Sequence, residues 1–362
     1  MALQGVMDAL KRTTLQEIGV SFSLSDIIKD IRISGDDVYI KIFSPSEKYY
    51  DYLREKIKST LKPLGAKHIE VEFSQEPPVQ RQTQPPPPPP PQNPFENRRR
   101  IPKVDKVILV ASGKGGVGKS TVAVNIASAL RRLGYNVGYL DADMYGPSGP
   151  TMFGAKDKKV IAKETPEGTK IIAPEAHGVK VMSIGFLLPS EDTPVIWRGP
   201  VLFKALTQFL FDIDWGEENL DFLVVDLPPG TGDIQITIGQ TVEVDGAIIV
   251  TTPQDVALID VKKGIQMFNE VQIPIIGVVE NMSYFICPDS GKKYEIFGKS
   301  KTADVAKDYS TELLGQIPTD PKVAEFSDLG IPVVLAKEDS TVTQEFLSIA
   351  RKLVEKLTRK GA

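Results

Sequence analysis

The stretch Val107-Ile-Leu-Val-Ala-Ser-Gly113-Lys-Gly-Gly-Val-Gly-Lys-Ser-Thr121 decides how the rest of the chain is read. A run of apolar residues leads into G-x-x-x-x-G-K-[ST], and residues 122–133 then carry a helical pattern. A strand, a glycine-rich turn and a helix in that order make a phosphate-binding loop. Gly113, Gly115, Gly116 and Gly118 allow a tight backbone turn, so that successive N–H groups, Val117's among them, converge on an anion. The helix N-terminus adds a partial positive charge. Lys119 supplies a full charge to the β- and γ-phosphates, the Ser120 hydroxyl can ligate Mg2+, and Thr121 completes the loop. The stretch predicts a bound nucleoside triphosphate.

Beyond the loop, residues 222–225, 247–250 and 275–279 are further short apolar runs alternating with helical segments. Strands that are apolar throughout are covered on both faces. The expectation is an α/β P-loop NTPase fold, a mostly parallel sheet flanked by helices, with ligands at the carboxyl ends of the strands. Val342, Phe346, Ile349, Leu353 and Leu357 form one stripe on a closing helix, read as packing on the sheet rather than on a membrane.

Working back from the loop, Arg98-Arg99-Arg100 reads as solvated linker. Ahead of it, ten of the 28 prolines lie between Pro77 and Pro94, seven of them consecutive from Pro85 to Pro91. Such a run adopts polyproline II at about 3.1 Å per residue, a stiff spacer of roughly 20 Å. Residues 1–75 read as a small α+β module of order α-β-β-α-β. Residues 30–42 alternate around Gly35-Asp36-Asp37 as a hairpin, Tyr49, Leu53, Ile57 and Leu61 recur at helical spacing, and Ile69, Val71 and Phe73 alternate with Glu70 and Glu72. The chain thus divides into 1–75, a Pro-rich linker 76–100, and an ATPase domain 101–362.

Composition narrows the function classes. The 362 residues carry 43 Lys and Arg against 47 Asp and Glu, a net charge of −4, which opposes non-specific nucleic-acid binding. No apolar run is long enough to span a membrane, and the start lacks the pattern of a signal peptide. One cysteine, Cys287, and two histidines, His68 and His177, exclude an internal disulfide and a self-contained zinc site. A cytoplasmic protein without nucleic-acid or membrane partners is expected.

Lys114, the second residue of the loop, gives Lys-Gly-Gly-Val-Gly-Lys-Ser. This resembles the deviant Walker A ATPases, which include MinD, ParA, the nitrogenase iron protein and the Mrp/ApbC proteins. The resemblance implies ATP as the nucleotide and a homodimer in which Lys114 reaches the partner's nucleotide. A cation so placed acts as an arginine finger does in trans. It also implies roles for three acids. Asp143 in Asp141-Ala-Asp143 orients or deprotonates the attacking water. Asp141 stands one water away from Mg2+ or is structural, and Asp226, at the end of Phe222-Leu-Val-Val-Asp, holds a water on the ion.

Asp141-Ala-Asp-Met-Tyr-Gly-Pro-Ser148, Trp197-Arg-Gly-Pro200, Asp226-Leu-Pro-Pro-Gly-Thr-Gly-Asp233 and Asn281-Met-Ser-Tyr-Phe285 together resemble the Mrp/ApbC iron–sulfur cluster carrier ATPases over residues 101 to about 358. The resemblance implies that the loop ending at Asp233 senses the γ-phosphate, that Asn281 contacts the adenine, and that apoproteins are the clients. Arg198 is a dimer contact or a structural arginine. The front module is similar to the PaaD-like assembly domain, but lacks its signatures. Leu15-Gln16-Glu17 and Ser44-Pro45-Ser46 occupy the approximate places.

The family's Cys-Pro-x-Cys appears here as Cys287-Pro-Asp-Ser290, so a dimer offers two thiolates to an iron–sulfur cluster instead of four. Cys287 is the candidate ligand, with outside thiols, an oxygen or His177 as helpers; a retained thiol that ligates nothing is the other reading. The expectation is an ATP-hydrolysing cluster carrier. The alternatives are a ParA/MinD-like dimerisation switch and an assembly adaptor without a cluster.

Overall fold

The computed structural model describes residues 3–15, 22–44, 47–74, 95, 98–144, 146–166, 168–187, 206–207, 209–336 and 340–359. The proline run, Trp197–Pro200 with Arg198, and Gln16-Glu17 lie outside them. The chain forms two compact units, one holding the front module and the other most of the remainder.

In the front unit, Ile28–Ser34 pairs antiparallel with Asp37–Phe43, which pairs parallel with His68–Ser74. Alternation turns Val38, Ile40 and Ile42 inward, where they share a core with Leu53, Ile57 and Leu61 of the helix Tyr50–Leu61 and with Val6 and Leu10 of the helix Leu3–Arg12. The α-β-β-α-β order read from the sequence is present, with an added two-residue strand pair at Thr14–Leu15 and Phe22–Ser23.

The larger unit is built on an eight-stranded sheet. Its order is Glu175–Ala176, Val179–Ser183, Val137–Asp141, Leu220–Asp226, Val104–Ala111, Gly246–Thr251, Ile275–Glu280 and Leu313–Gln316. All neighbours are parallel except the first pair. Every residue of Val137–Asp141 and Gly246–Thr251 is buried, as strands covered on both faces must be. The stripe Val342, Phe346, Ile349, Leu353 and Leu357 is buried in the main core, on the helix Thr341–Arg359. That burial removes the membrane reading of this helix. Among the described residues no helix is long and apolar enough to cross a membrane. A small separate sheet joins Ile161–Thr165, Gly168–Ile172 and Ile213–Asp214.

Arg98 differs from the solvated linker expected of residues 98–100, whereas Arg99 and Arg100 are exposed as expected. Arg98 donates to the carbonyls of Gly239, Val271 and Gln272 at the ends of two helices and lies over the Phe95 ring. Arg99 pairs with Val242 and stacks on Phe211, and Arg100 pairs with Glu243. Helix C-termini leave carbonyls without intrahelical partners and carry partial negative charge, so they attract guanidinium groups.

Candidate functional site

The parallel strands Val104–Ala111, Leu220–Asp226 and Val137–Asp141 end side by side. Asp226 is in register with both Val110 and Asp141. The phosphate loop leaves the first of these strands and enters the helix Lys119–Arg132. Two glycines in it are required by space. A Cβ on Gly113 would lie 2.4 Å from that of Asp260, on the helix Asp255–Glu270. One on Gly118, whose φ is +77°, would lie 2.2 Å from the Asn281 amide nitrogen.

Lys119 is only 6% exposed. Its Nζ sits 2.5 Å from Asp226 Oδ1, 3.7 Å from Asp143 Oδ2 and 3.2 Å from Ser120 Oγ. An ammonium thus lies between the carboxylate and hydroxyl read as the Mg2+ side of the site. An all-oxygen pair around a cation suits Mg2+, which takes one or two protein oxygens and completes its shell with phosphate and water. Asp226 Oδ2 also accepts from the buried Tyr139 hydroxyl at 3.1 Å. Burial, with Asp226 and Asp141 nearby, holds that phenol well above its ordinary pKa.

Asp141 is fully buried. It accepts from the amides of Asp143 and Gly149 at 3.1 and 2.8 Å and from the Ser183 hydroxyl at 3.3 Å. These contacts make it the post that holds the amides of Asp143 and Gly149. Burial, and then the charge of Asp226, push its carboxyl from 3.8 up to about 7. In that interval the folded chain holds a proton that the unfolded chain has released. Stability of the nucleotide-free protein is therefore expected to fall as pH rises through this window and to level off above about 7. Melting temperatures across the window check this, and Asp141→Asn should flatten the slope. An unchanged slope in that variant would assign the effect elsewhere.

The turn after Asp226 is held by a residue the sequence reading passed over. Buried Gln235 donates to the carbonyls of Pro228 and Gly230 at 2.8 and 3.0 Å and accepts from the Gly232 amide at 3.1 Å. Gly230 N–H in turn reaches the Ser112 carbonyl at the start of the phosphate loop. Asp233 is exposed at the first turn of the helix Asp233–Thr241. The Lys114 side chain is half-buried, and the Ser112 hydroxyl bonds its carbonyl at 2.9 Å.

Asn281 lies against the loop, its amide donating to the Val117 carbonyl at 3.0 Å. Cys287 is partly exposed, just past the two-residue strand Phe285–Ile286, which pairs with Lys293–Tyr294. The Ser290 hydroxyl, followed by the amides of Ser290 and Asp289, pulls the Cys287 thiol below its ordinary pKa. Ser290 therefore serves the thiol as a hydrogen-bond donor. His177 is not a helper to Cys287. It sits in the turn before Val179–Ser183, at the amino ends of the strands, with its ring bonded to the Gly330 carbonyl at 2.9 Å. Among the described residues no group of three His, Cys, Asp or Glu is placed to hold a metal.

A family model described as the ParA-type NUBPL iron-transfer P-loop NTPase matches residues 103–354. A protein of Aquifex aeolicus named iron-sulfur cluster carrier protein is 53% identical over 360 residues, 98% of each chain. Among solved structures, a nucleotide-binding protein of Archaeoglobus fulgidus in complex with ADP is 37% identical, with a TM-score of 0.58 over 68% of this chain and 94% of that one. The cell division ATPase MinD of Pyrococcus furiosus shares the fold at 23% identity, with a TM-score of 0.51 over 70% of this chain and 99% of that one. With the phosphate loop, the parallel sheet and a match across most of its length, this chain belongs to the NUBPL iron-transfer P-loop NTPase family of the ParA group.

Proposed function

We propose that this chain is a cytoplasmic, ATP-hydrolysing carrier that delivers iron–sulfur clusters to apoproteins as a homodimer. The observation that carries the reading is the course of the chain after Ile275–Glu280. Asn281 touches the phosphate loop, and six residues further along the same segment the chain carries its only thiol, with its pKa lowered. A thiolate is what binds iron. The names of the relatives, iron-sulfur cluster carrier protein in several organisms, support the same cargo.

In this reading the amides from Gly113 to Thr121 cradle the phosphates, Lys119 leaves Asp226 for the β- and γ-phosphates, and Asn281 meets the adenine. Ser120, and Asp226 through a water, hold Mg2+, which neutralises phosphate charge when bound. Asp143 orients the attacking water, and Lys114 of each protomer faces the nucleotide of the other. The sequence division at residues 75 and 100 makes the front module a separate domain, joined by the proline spacer.

Cys287 of each protomer supplies one thiolate to the cargo, and the remaining ligands come from outside the pair. Anaerobic reconstitution with iron and sulfide is expected to give a visible charge-transfer absorption that Cys287→Ala abolishes. A colourless wild type would leave a ParA/MinD-like dimerisation switch as the reading.

A further inference from the structure

Glu280 is the last residue of an otherwise apolar strand, Ile275-Ile-Gly-Val-Val-Glu280, and its side chain is 0% exposed. A carboxylate in such a place needs every lone pair answered. Oε1 accepts from the Ser283 hydroxyl at 2.5 Å and from Gln316 Nε2 at 2.8 Å. Oε2 accepts from the Ser300 hydroxyl at 2.6 Å and from the Thr302 hydroxyl. Ser283 stands where the chain leaves the sheet, and Ser300 and Thr302 stand where it returns. One carboxylate closes both ends of the excursion that carries Cys287.

Beyond its own hairpin pairing and Lys293 over the Tyr284 ring, the rest of that excursion projects into solvent. All residues from Pro288 to Lys299 are exposed, among them Tyr294, Ile296 and Phe297. Its place is set at its base, where Tyr284 and Phe285 also pair with Thr319. That base is tied to the phosphate loop on two sides. On one side the Asn281 amide bonds the Val117 carbonyl. On the other, Lys301 pairs with Asp255 at 2.9 Å, and Asp260 of the same helix packs against Gly113. Between Asn281 and Ser283, Met282 has φ +52°, a left-handed conformation that a side-chain-bearing residue keeps only under constraint from its surroundings.

We propose that Glu280 is a positioning residue that transmits nucleotide occupancy of the phosphate loop to the Cys287 hairpin. A base arriving at Asn281 draws its carboxamide away from Val117, the strained Met282 link passes the displacement to Ser283, and the Glu280 clamp moves both ends of the excursion together. Without the clamp the two ends move independently and the thiol no longer registers the nucleotide. The inference rests on the proposed roles of Asn281 toward the base and of Cys287 toward the cargo.

Because Cys287 is the only cysteine, an aromatic disulfide reagent reports on it alone in the full chain. Labelling with and without MgADP isolates loop occupancy from closure driven by a γ-phosphate, with light scattering to verify constant size. In the wild type MgADP is expected to change the labelling rate by about threefold or more. Glu280→Ala should reduce that change to below about 1.5-fold while ADP affinity stays within about threefold, and Glu280→Gln, which keeps shape and one acceptor, should restore part of it. If Glu280→Ala does not fold, Ser300→Ala combined with Thr302→Val removes both donors at the returning end and is expected to give the same loss. A wild-type rate indifferent to MgADP, or a full response in these variants, overturns the proposal. A cluster-binding wild type without a labelling response rejects the coupling alone, whereas a colourless wild type that responds rejects the carrier reading alone.

Discussion

Lys119→Ala is expected to lower ATP turnover by about a thousandfold and also to weaken the nucleotide-free fold. The two losses have different origins. Turnover falls because the cation that answers charge developing on the transferred phosphoryl group is gone. Stability falls because the same ammonium is 2.5 Å from Asp226 and 3.7 Å from Asp143, in a pocket that also buries Asp141. Removing one partner of a buried pair leaves an uncompensated charge, at a cost of about 3–5 kcal/mol. Adding Asp226→Asn should therefore recover part of the stability and none of the turnover. Urea unfolding of the free protein and single-turnover hydrolysis separate the effects. A single variant with wild-type stability would mean that the lysine is not paired before nucleotide arrives.

Lys114→Ala and Asp143→Asn should each lower turnover by about a hundredfold or more, yet a mixture of the two should regain activity. If Lys114 acts across the two-fold, a mixed dimer has one dead site and one complete site. The complete one combines the Asp143 of the Lys114→Ala protomer with the Lys114 of its partner. With free exchange, half of the dimers are mixed and one of their two sites works, so about a quarter of wild-type turnover returns. Recovery should follow the second power of protein concentration when dimers are scarce. No recovery at any mixing ratio would place both residues in one protomer's site.

The parts of this fold that could be read in advance are those whose signal is local. Glycine spacing and two lysines mark the phosphate loop without reference to anything distant. An apolar run ending in an acid marks Asp141 and Asp226, which the parallel register then brings side by side. What escaped depends on contacts far apart in sequence. The small sheet pairs Gly168–Ile172 with Ile213–Asp214, some forty residues on, and neither strand has a strong apolar pattern. Gln235 looks like an ordinary helical residue until the loop before it folds back over its amide. Glu280 did have a signal, an acid closing five non-polar residues, but its four donors come from residues 283 to 316. Arg98 misled by composition. Three charges after a proline run suggest solvent, which holds for Arg99 and Arg100, whereas helix ends with spare carbonyls offered Arg98 a better environment.

That arginine anchorage has a bearing on where a catalytic fragment can be cut. Arg98 fastens together the terminal turns of the helices Asp233–Thr241 and Asp255–Glu270, the first of which begins at the end of the loop that follows Asp226. A truncation starting at Ile101 would strip this brace and leave the carbonyls of Gly239, Val271 and Gln272 without their guanidinium partner. A fragment that keeps this brace is expected to need a start upstream of Phe95, whose ring lies under Arg98, so a residue whose composition suggests linker also holds two helices of the nucleotide-binding unit together.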